Sequence, residues 1–196
     1  MIYQPYDRSW WVECRVQGAA ILRDWVKTLV FVAAFALLLN LFFPRYAVKG
    51  ASMEPTLHET ERLFVSNVDT MTRPPERGEV IVLTSPHDGE LIVKRVIGLP
   101  GEVVEIRSGR VYINGVPLHE DYINEAPRYS GHWEVGANQY FILGDNRNHS
   151  LDSGDYGPID ASIIHGVVKF RWWPLSDLSM FAVPDYGTLG SNQHTP

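Results

Sequence analysis

Lys94 is a candidate general base that needs no histidine. It lies within the apolar run LIVKRVI, residues 91–97, which is typical of a β-strand. On a strand its side chain shares a face with Ile92 and Val96, so the ammonium group points into an apolar layer. Desolvation lowers the pKa of a buried lysine, and the neutral amine can then accept a proton. The alternative is an edge strand from which the lysine extends to water.

Ser52 is the candidate nucleophile. It lies in the segment KGASMEPTL, residues 49–57, directly after a predicted strand. Gly50 allows the backbone to bend there, and Pro55 fixes the following turn. A serine hydroxyl is a weak nucleophile unless an adjacent base accepts its proton. The sequence therefore suggests a Ser/Lys dyad of Ser52 and Lys94, with an ordinary loop serine as the alternative.

The sequence gives little support for other catalytic motifs, for a metal or cofactor site, or for nucleic-acid binding. It contains no His-Glu-x-x-His, no Gly-x-Ser-x-Gly and no glycine-rich phosphate loop. The 7 histidines have no ligand spacing and Cys14 is the single cysteine, so we predict no metal site and no cofactor. A formal charge of -6 argues against a nucleic-acid partner. A Ser-His-Asp triad stays open, although no serine has a recognisable setting with a histidine.

Several segments in one fixed order resemble the motifs of bacterial type I signal peptidases. The Ser-Met-x-Pro-Thr motif falls on residues 52–56, the Lys-Arg-Val-x-Gly-x-Pro-Gly motif on 94–101, and the Gly-Asp-Asn-Arg motif on 144–147. RGEVI at 77–81 and FRWWP at 170–174 are similar to a further strand motif and to the usual ending of the family. The resemblance covers about 48–174 and includes an N-terminal anchor. Motifs that recur together and in order are specific, whereas each alone is weak.

The resemblance implies a role for each matching residue. Ser52 is the nucleophile, Lys94 is the general base, and Ser150 orients the lysine amine. Asp145 is expected to pair with Arg95 and thereby support the site.

This sequence also departs from the family pattern. Gly50 stands where some members have a serine, so the oxyanion would rely on backbone donors, chiefly the Ser52 N–H. Gly154 stands where many members have an arginine, which removes the usual partner of Asp152. We expect Arg147 to be the substitute partner, with a scaffolding role for both residues.

The implied function is that of a membrane-bound serine endopeptidase that removes signal peptides from exported preproteins through an acyl-enzyme. The resemblance also implies an extended substrate near Val48 and Ile92, with small residues such as alanine at the first and third positions before the cut. One alternative is a catalytically silent, membrane-anchored β-module that binds extracytoplasmic partners. Another is a Ser/Lys self-cleaving repressor-like protein, which would need a DNA-binding helical domain in place of the N-terminal apolar segment.

The N-terminal region predicts a transmembrane helix at about 25–43. Residues 28–43 are apolar almost throughout, without the polar face of a core helix or the Ala-x-Ala site of a cleavable signal peptide. The basic residues before the segment are Arg8, Arg15, Arg23 and Lys27, and those soon after it are Arg45 and Lys49. This bias places the N-terminus in the cytoplasm and the remaining chain outside. The resemblance implies that the membrane is the plasma (inner) membrane.

After the anchor, short β-branched runs alternate with Gly, Pro, Asn and Asp, which predicts many short strands. The predicted strands are 45–49, 62–66, 79–83, 91–97, 102–106, 110–113, 140–143 and 166–170, with loops at 68–78, 85–90 and 124–138. Asn114-Gly115 predicts a type I′ hairpin turn.

The predicted fold is mainly β: one barrel-like, all-β catalytic body after a single transmembrane helix. Its predicted divisions are a cytoplasmic segment 1–24, the anchor 25–43, the catalytic domain 44–184 and a disordered tail 185–196.

Overall fold

The computed structural model describes the backbone of residues 9–42 and 45–186, and the side chains of residues 21–38 and 46–186. The chain divides into two compact units between Leu41 and Phe42. One long helix, α1 (Ser9–Phe42), lies in the first unit except for its last residue. It covers the predicted span 25–43 except for Phe43, which lies outside the described residues. Among the residues described, there is no helix with both the length and the apolar character needed to cross a membrane.

The second unit consists mainly of antiparallel strands. They are β1 (Arg45–Ala47), β2 (Arg62–Ser66), β3 (Val80–Thr84), β4 (Leu91–Gly98), β5 (Val103–Arg107), β6 (Arg110–Ile113), β7 (Val116–Pro117), β8 (Gly131–Glu134), β9 (Gln139–Leu143), β10 (Ile159–Asp160), β11 (Ile164–Trp173) and β12 (Ser179–Met180). Two short helices, α2 (Asn67–Thr72) and α3 (Ser153–Tyr156), and 3₁₀ turns at Ala161–Ile163 and Leu175–Asp177 complete the unit.

The strands form two sheets that do not close into a barrel. The main sheet has the order β1-β2-β11-β3-β4-β9-β10, with β12 beside β11, and the second sheet has the order β7-β6-β5-β8. The mainly β fold is thus confirmed, but the barrel-like closure is wrong. One buried cluster joins Ile97 of β4 and Phe141 of β9 to Val104 and Val111 of the second sheet. Because the second sheet covers this apolar face, the main sheet has no need to close on itself.

Every predicted strand is present, with its ends shifted by a few residues at most. The hairpin turn is also confirmed, because Asn114 and Gly115 have φ values of 51° and 81°, as a type I′ turn requires. Local alternation of apolar side chains was therefore a sufficient signal for these strands.

Two predicted loops contain regular structure instead. The 124–138 segment includes β8, which pairs with β5 and carries Trp133 against Phe141 at a ring distance of 4.8 Å. The 68–78 segment overlaps α2, whose N-cap Ser66 accepts a hydrogen bond from the Asp69 N–H at 3.3 Å. Neither segment has a strong apolar period, so contacts distant in sequence and a single cap decide its conformation.

The chain is described as far as Tyr186, at the start of the predicted disordered tail. The Tyr186 side chain is buried and belongs to the same cluster as Phe141. Residues 187–196 of that predicted tail lie outside the described residues.

Candidate active site

Lys94 lies on β4, where it pairs with β3 on one side; β9 pairs with β4 on the other side from Arg95 onward. Its residue exposure is only 3%, so the alternative of a lysine extended into water is wrong. Val96 on the same face is fully buried, and Ile92 is partly buried against the same core cluster. The alternation of side chains along β4 therefore places the amine in an apolar layer, as the sequence predicts.

Burial lowers the pKa of the Lys94 ammonium below its ordinary value, because the charged form loses its hydration. The carboxylates of Asp152, Asp145 and Asp155 oppose this lowering without cancelling it. Among residues 45–186, no carboxylate forms an ion pair with Lys94. The environment thus favours the neutral amine that a general base requires.

Ser52 lies on a loop whose following residues are packed into the hydrophobic core. Met53 and Leu57 are buried, and the Leu57 N–H donates to the Met53 carbonyl at 2.9 Å. Ser52 itself is half-buried. Gly50 has a φ of +77°, which starts the loop in a conformation that favours glycine.

The loop of Ser52 contacts residues 144–152, here called the site loop. The Asn146 N–H donates to the Ser52 carbonyl at 3.1 Å, and Asn146 Nδ2 donates to the Ala51 carbonyl at 3.1 Å. Gly144 lies so close that an added Cβ would overlap both Ser150 Oγ and the Ser52 carbonyl oxygen. Glycine at 144 therefore permits Ser52 and Ser150 to approach each other.

The hydroxyl of Ser150 is buried. Within the described residues its geometry satisfies no hydrogen bond, although it lies close enough to the Asp152 carboxylate to oppose the rise in the pKa of that carboxyl. A buried hydroxyl without a well-aligned hydrogen bond is costly, so its retention at this position calls for a reason other than packing. Its place beside Ser52 fits the predicted role of orienting an amine, and that role stays a prediction.

The Ser52 N–H, the predicted oxyanion donor, has no acceptor within the part of the chain that the structure describes. A backbone N–H at the nucleophile that has no other acceptor can donate a hydrogen bond to the oxyanion that develops in the reaction.

Across the described residues, no group of histidine, cysteine, aspartate or glutamate side chains could hold a metal ion.

The predicted ion pair between Arg95 and Asp145 is present. Arg95 Nε donates to Asp145 Oδ1 at 2.8 Å and Nη2 donates to Oδ2 at 2.6 Å, while Nη1 donates to the Gly78 carbonyl at 2.8 Å. Both side chains are buried. This bidentate pair fastens the first residues of the site loop to β4, next to Lys94.

The predicted pairing of Arg147 with Asp152 is wrong. Arg147 makes two hydrogen bonds of 2.7 Å to Glu120, and its Nε donates to the Gly144 carbonyl at 3.0 Å. Asp152 instead accepts from the backbone N–H groups of Gly144 at 2.8 Å and Gly154 at 3.0 Å, and it caps α3. Burial raises the pKa of the Asp152 carboxyl, and these hydrogen bonds oppose the rise. Backbone donors thus replace the arginine that the family pattern would supply.

The sequence analysis missed Glu120 and Tyr122. Glu120 is the actual partner of Arg147, and the ring of Tyr122 packs against Arg95 and Arg147. Both lie in the polar stretch HEDY, residues 119–122, where a buried acid has the same local sequence as a surface acid. Only the long-range pairing distinguishes the two cases.

The predicted site residues thus converge on one region. Ser52 and Ser150 contact the same glycine, Arg95 and Asp145 pair directly, and Lys94 lies in the field of Asp145 and Asp152. The approach of the Lys94 amine to the Ser52 hydroxyl stays a prediction, supported by these shared neighbours.

The chain is similar to proteins of one known family. Residues 22–173 match the family described as signal peptidase, peptidase S26. A signal peptidase I from Leptolyngbya laminosa is 38% identical over 174 residues, which cover 83% of this chain and 85% of the relative. A signal peptidase I from Bacillus licheniformis is 34% identical over 170 residues, which cover 80% and 91%. A crystal structure of a signal peptidase I from Enterococcus faecalis is 37% identical with a TM-score of 0.45, covering 48% of this chain and 97% of that one. The match over residues 22–173 and the two relatives at 38% and 34% identity show that the chain belongs to the signal peptidase family, peptidase S26.

Proposed function

We propose that this member of the signal peptidase family cleaves signal peptides from preproteins with Ser52 as nucleophile and Lys94 as general base. The observation that carries this proposal is the buried Lys94, whose pKa is lowered, beside the loop that contacts Ser52. A neutral amine next to a serine hydroxyl is sufficient to activate that hydroxyl without histidine.

The neutral Lys94 amine accepts the Ser52 proton as Oγ attacks the scissile carbonyl. The Ser52 N–H stabilises the oxyanion, and the ammonium then protonates the departing amine, which leaves an acyl-enzyme on Oγ. The amine next removes a proton from water, and hydrolysis of the ester restores both groups. Ser150 Oγ holds the amine toward Ser52 during these steps. No metal or cofactor enters the reaction.

The substrate binds as an extended strand beside β4. Within the described residues, β4 pairs with β9 only from Arg95 onward, so the Leu91–Lys94 part pairs on one side alone, with β3. A peptide can therefore add to the free edge and bring its scissile bond toward Lys94. Small residues at the first and third positions before the cut, such as alanine, fit a substrate that lies near Val48 and Ile92.

Incubation of the purified protein with a preprotein tests this function. We expect one cut, and sequencing of the new N-terminus should show small residues at the first and third positions before it. The Ser52→Ala variant should leave the precursor intact, whereas Ser162→Ala, at an exposed serine, should cleave normally. Cleavage by the Ser52→Ala protein would contradict the proposed nucleophile, and an uncut precursor with the wild-type protein would favour a silent binding module.

We also propose that residues 25–43 anchor the enzyme in the plasma (inner) membrane, with the N-terminus in the cytoplasm and the catalytic unit outside. Although the described residues alone do not make up such a span, the apolar sequence continues through Leu39, Leu41, Phe42 and Phe43. Apolar side chains between 29 and 38 are exposed on α1 and show no polar stripe. A tethered enzyme meets a membrane-bound signal peptide at high effective concentration.

Washing membranes with alkaline carbonate tests the anchor. The wild-type protein should stay in the pellet, and the Phe31→Arg/Phe35→Arg variant should move to the supernatant, because each central arginine costs about 2.5–3.5 kcal/mol. Met71→Arg, at an exposed apolar residue of α2, should behave as wild type. Release of the wild-type protein by the wash would exclude an integral anchor.

A further inference from the structure

Tyr122 packs against two buried arginines that hydrogen-bond to the site loop. The centre of its ring is 4.1 Å from Cζ of Arg95 and 5.9 Å from Cζ of Arg147. Arg95 binds Asp145, and Arg147 binds the Gly144 carbonyl, so both guanidinium groups form hydrogen bonds with the start of the site loop. A cation over an aromatic face is attracted more strongly where water is excluded.

Hydrogen bonds fix the position of the Tyr122 ring. Its hydroxyl donates at 2.7 Å to Glu120, the same carboxylate that accepts from Arg147. The Tyr186 hydroxyl donates to the Tyr122 hydroxyl at 3.3 Å, and the two rings meet edge to face at 6.5 Å. Burial raises the pKa of Tyr122, so the phenol stays a neutral donor. Tyr122 thus connects the loop after β7 and the C-terminal segment to the site loop.

A glycine creates the space for Tyr186. Gly78 has a φ of +87°, and an added Cβ would lie 2.7 Å from Tyr186 Cε2 and 2.8 Å from its hydroxyl. The Gly78 carbonyl is also the acceptor of Arg95 Nη1. The backbone at Gly78 therefore contacts both Arg95 and Tyr186.

We infer that Tyr122 is a positioning residue for the reaction: it fixes the planes of Arg95 and Arg147 and thereby holds Gly144 and Asp145, which set the approach of Ser150 to Ser52. Tyr186 in turn holds Tyr122 in place. This inference rests on the proposed function, because its effect is on the rate of the Ser52 reaction. The face of the ring matters most, since it contacts both guanidinium groups.

Kinetics of Tyr122→Leu and Tyr122→Phe with a peptide substrate test this inference. Tyr122→Leu should lower kcat about tenfold or more, because small displacements of reacting groups are costly, and should leave KM within about twofold. Tyr122→Phe keeps the ring and should recover most of kcat. A Leu variant that raises KM alone, or a Phe variant as slow as the Leu variant, would overturn the inference.

Tyr112→Leu is a matched control. Tyr112 is also half-buried and has Arg107 at 4.1 Å, but it lies on β6 of the second sheet, and its arginine is not one of the two that bind the site loop. This variant should retain the wild-type kcat, and an equal loss there would show that the effect is general destabilisation. If Tyr122→Leu does not fold, the Tyr186→Leu variant tests the inference instead. We expect it to lower kcat about threefold and to leave KM unchanged. An unchanged kcat in Tyr186→Leu would contradict the inference, whereas an inactive wild-type protein would contradict the proposed function instead.

Discussion

Replacing Lys94 with methionine should reduce kcat/KM for preprotein cleavage by about 10³-fold or more, because the variant has no group to accept the Ser52 proton. Methionine keeps an apolar chain of similar length in the same buried position on β4. The fold should therefore survive, and the thermal unfolding temperature should equal or exceed that of the wild type, since an amine with a desolvation cost is removed. Cleavage kinetics and a circular-dichroism melt measure the two effects.

The pH dependence of both quantities supports the same test. The base must be neutral, so wild-type kcat/KM should fall as acidification carries the pH through the lowered pKa of Lys94. Between that pKa and the ordinary lysine value, the unfolded chain binds more protons than the folded one. The contribution of Lys94 to the free energy of unfolding therefore rises with pH in this window. The methionine variant should lack this contribution.

Lys169→Met is the appropriate control for Lys94. Lys169 is a half-buried lysine of β11 that forms a 3.0 Å ion pair with Asp69. Its replacement should leave the cleavage rate near that of the wild type. A Lys94→Met enzyme with more than about a tenth of wild-type activity would exclude Lys94 as the base, because general acid–base catalysis supplies at least about 10²-fold.

Replacing Arg95 with methionine should lower the free energy of unfolding by about 3–5 kcal/mol, because it leaves the Asp145 carboxylate buried without its partner. Asp145 has a side-chain exposure of 0%, so water cannot replace the two lost hydrogen bonds. Denaturant unfolding at neutral pH measures the loss. The double variant Arg95→Met/Asp145→Leu should regain much of it, since two apolar side chains carry no uncompensated charge.

An exposed ion pair provides the comparison for Arg95. Arg128 and Glu125 approach to 2.9 Å, but their side chains are 73% and 54% exposed. Arg128→Met should therefore cost less than about 1 kcal/mol. Equal losses for Arg95→Met and Arg128→Met would show that burial does not govern the strength of the Arg95–Asp145 pair.

Local sequence patterns were sufficient to predict those features that depend on neighbouring residues in the chain. Alternating apolar residues predicted the burial of Lys94, and the Asn114-Gly115 pair predicted its turn. Pairings distant in sequence were not accessible in the same way. Glu120 lies far from Arg147 along the chain, and nothing in its neighbours distinguishes it from a surface acid. The strand β8 depends on its ladder with β5 and on one aromatic contact.

The order of strands in the main sheet is another feature that the sequence could not predict. Connections between consecutive strands favour hairpins, so β2 and β3 would be expected as neighbours. In the structure β11 lies between them and pairs with both. The barrel-like expectation failed for a related reason, because the second sheet covers the apolar face that closure would otherwise bury.

The insertion of β11 has a consequence for when this protease becomes active. The main sheet cannot be completed until residues 164–173 have been synthesised and have entered between two strands made much earlier. Contacts of such large sequence separation form late in folding. A nascent chain that lacks residues 164–173 therefore contains Ser52 and Lys94 but not the complete main sheet, and we expect no proteolysis until these residues have been synthesised.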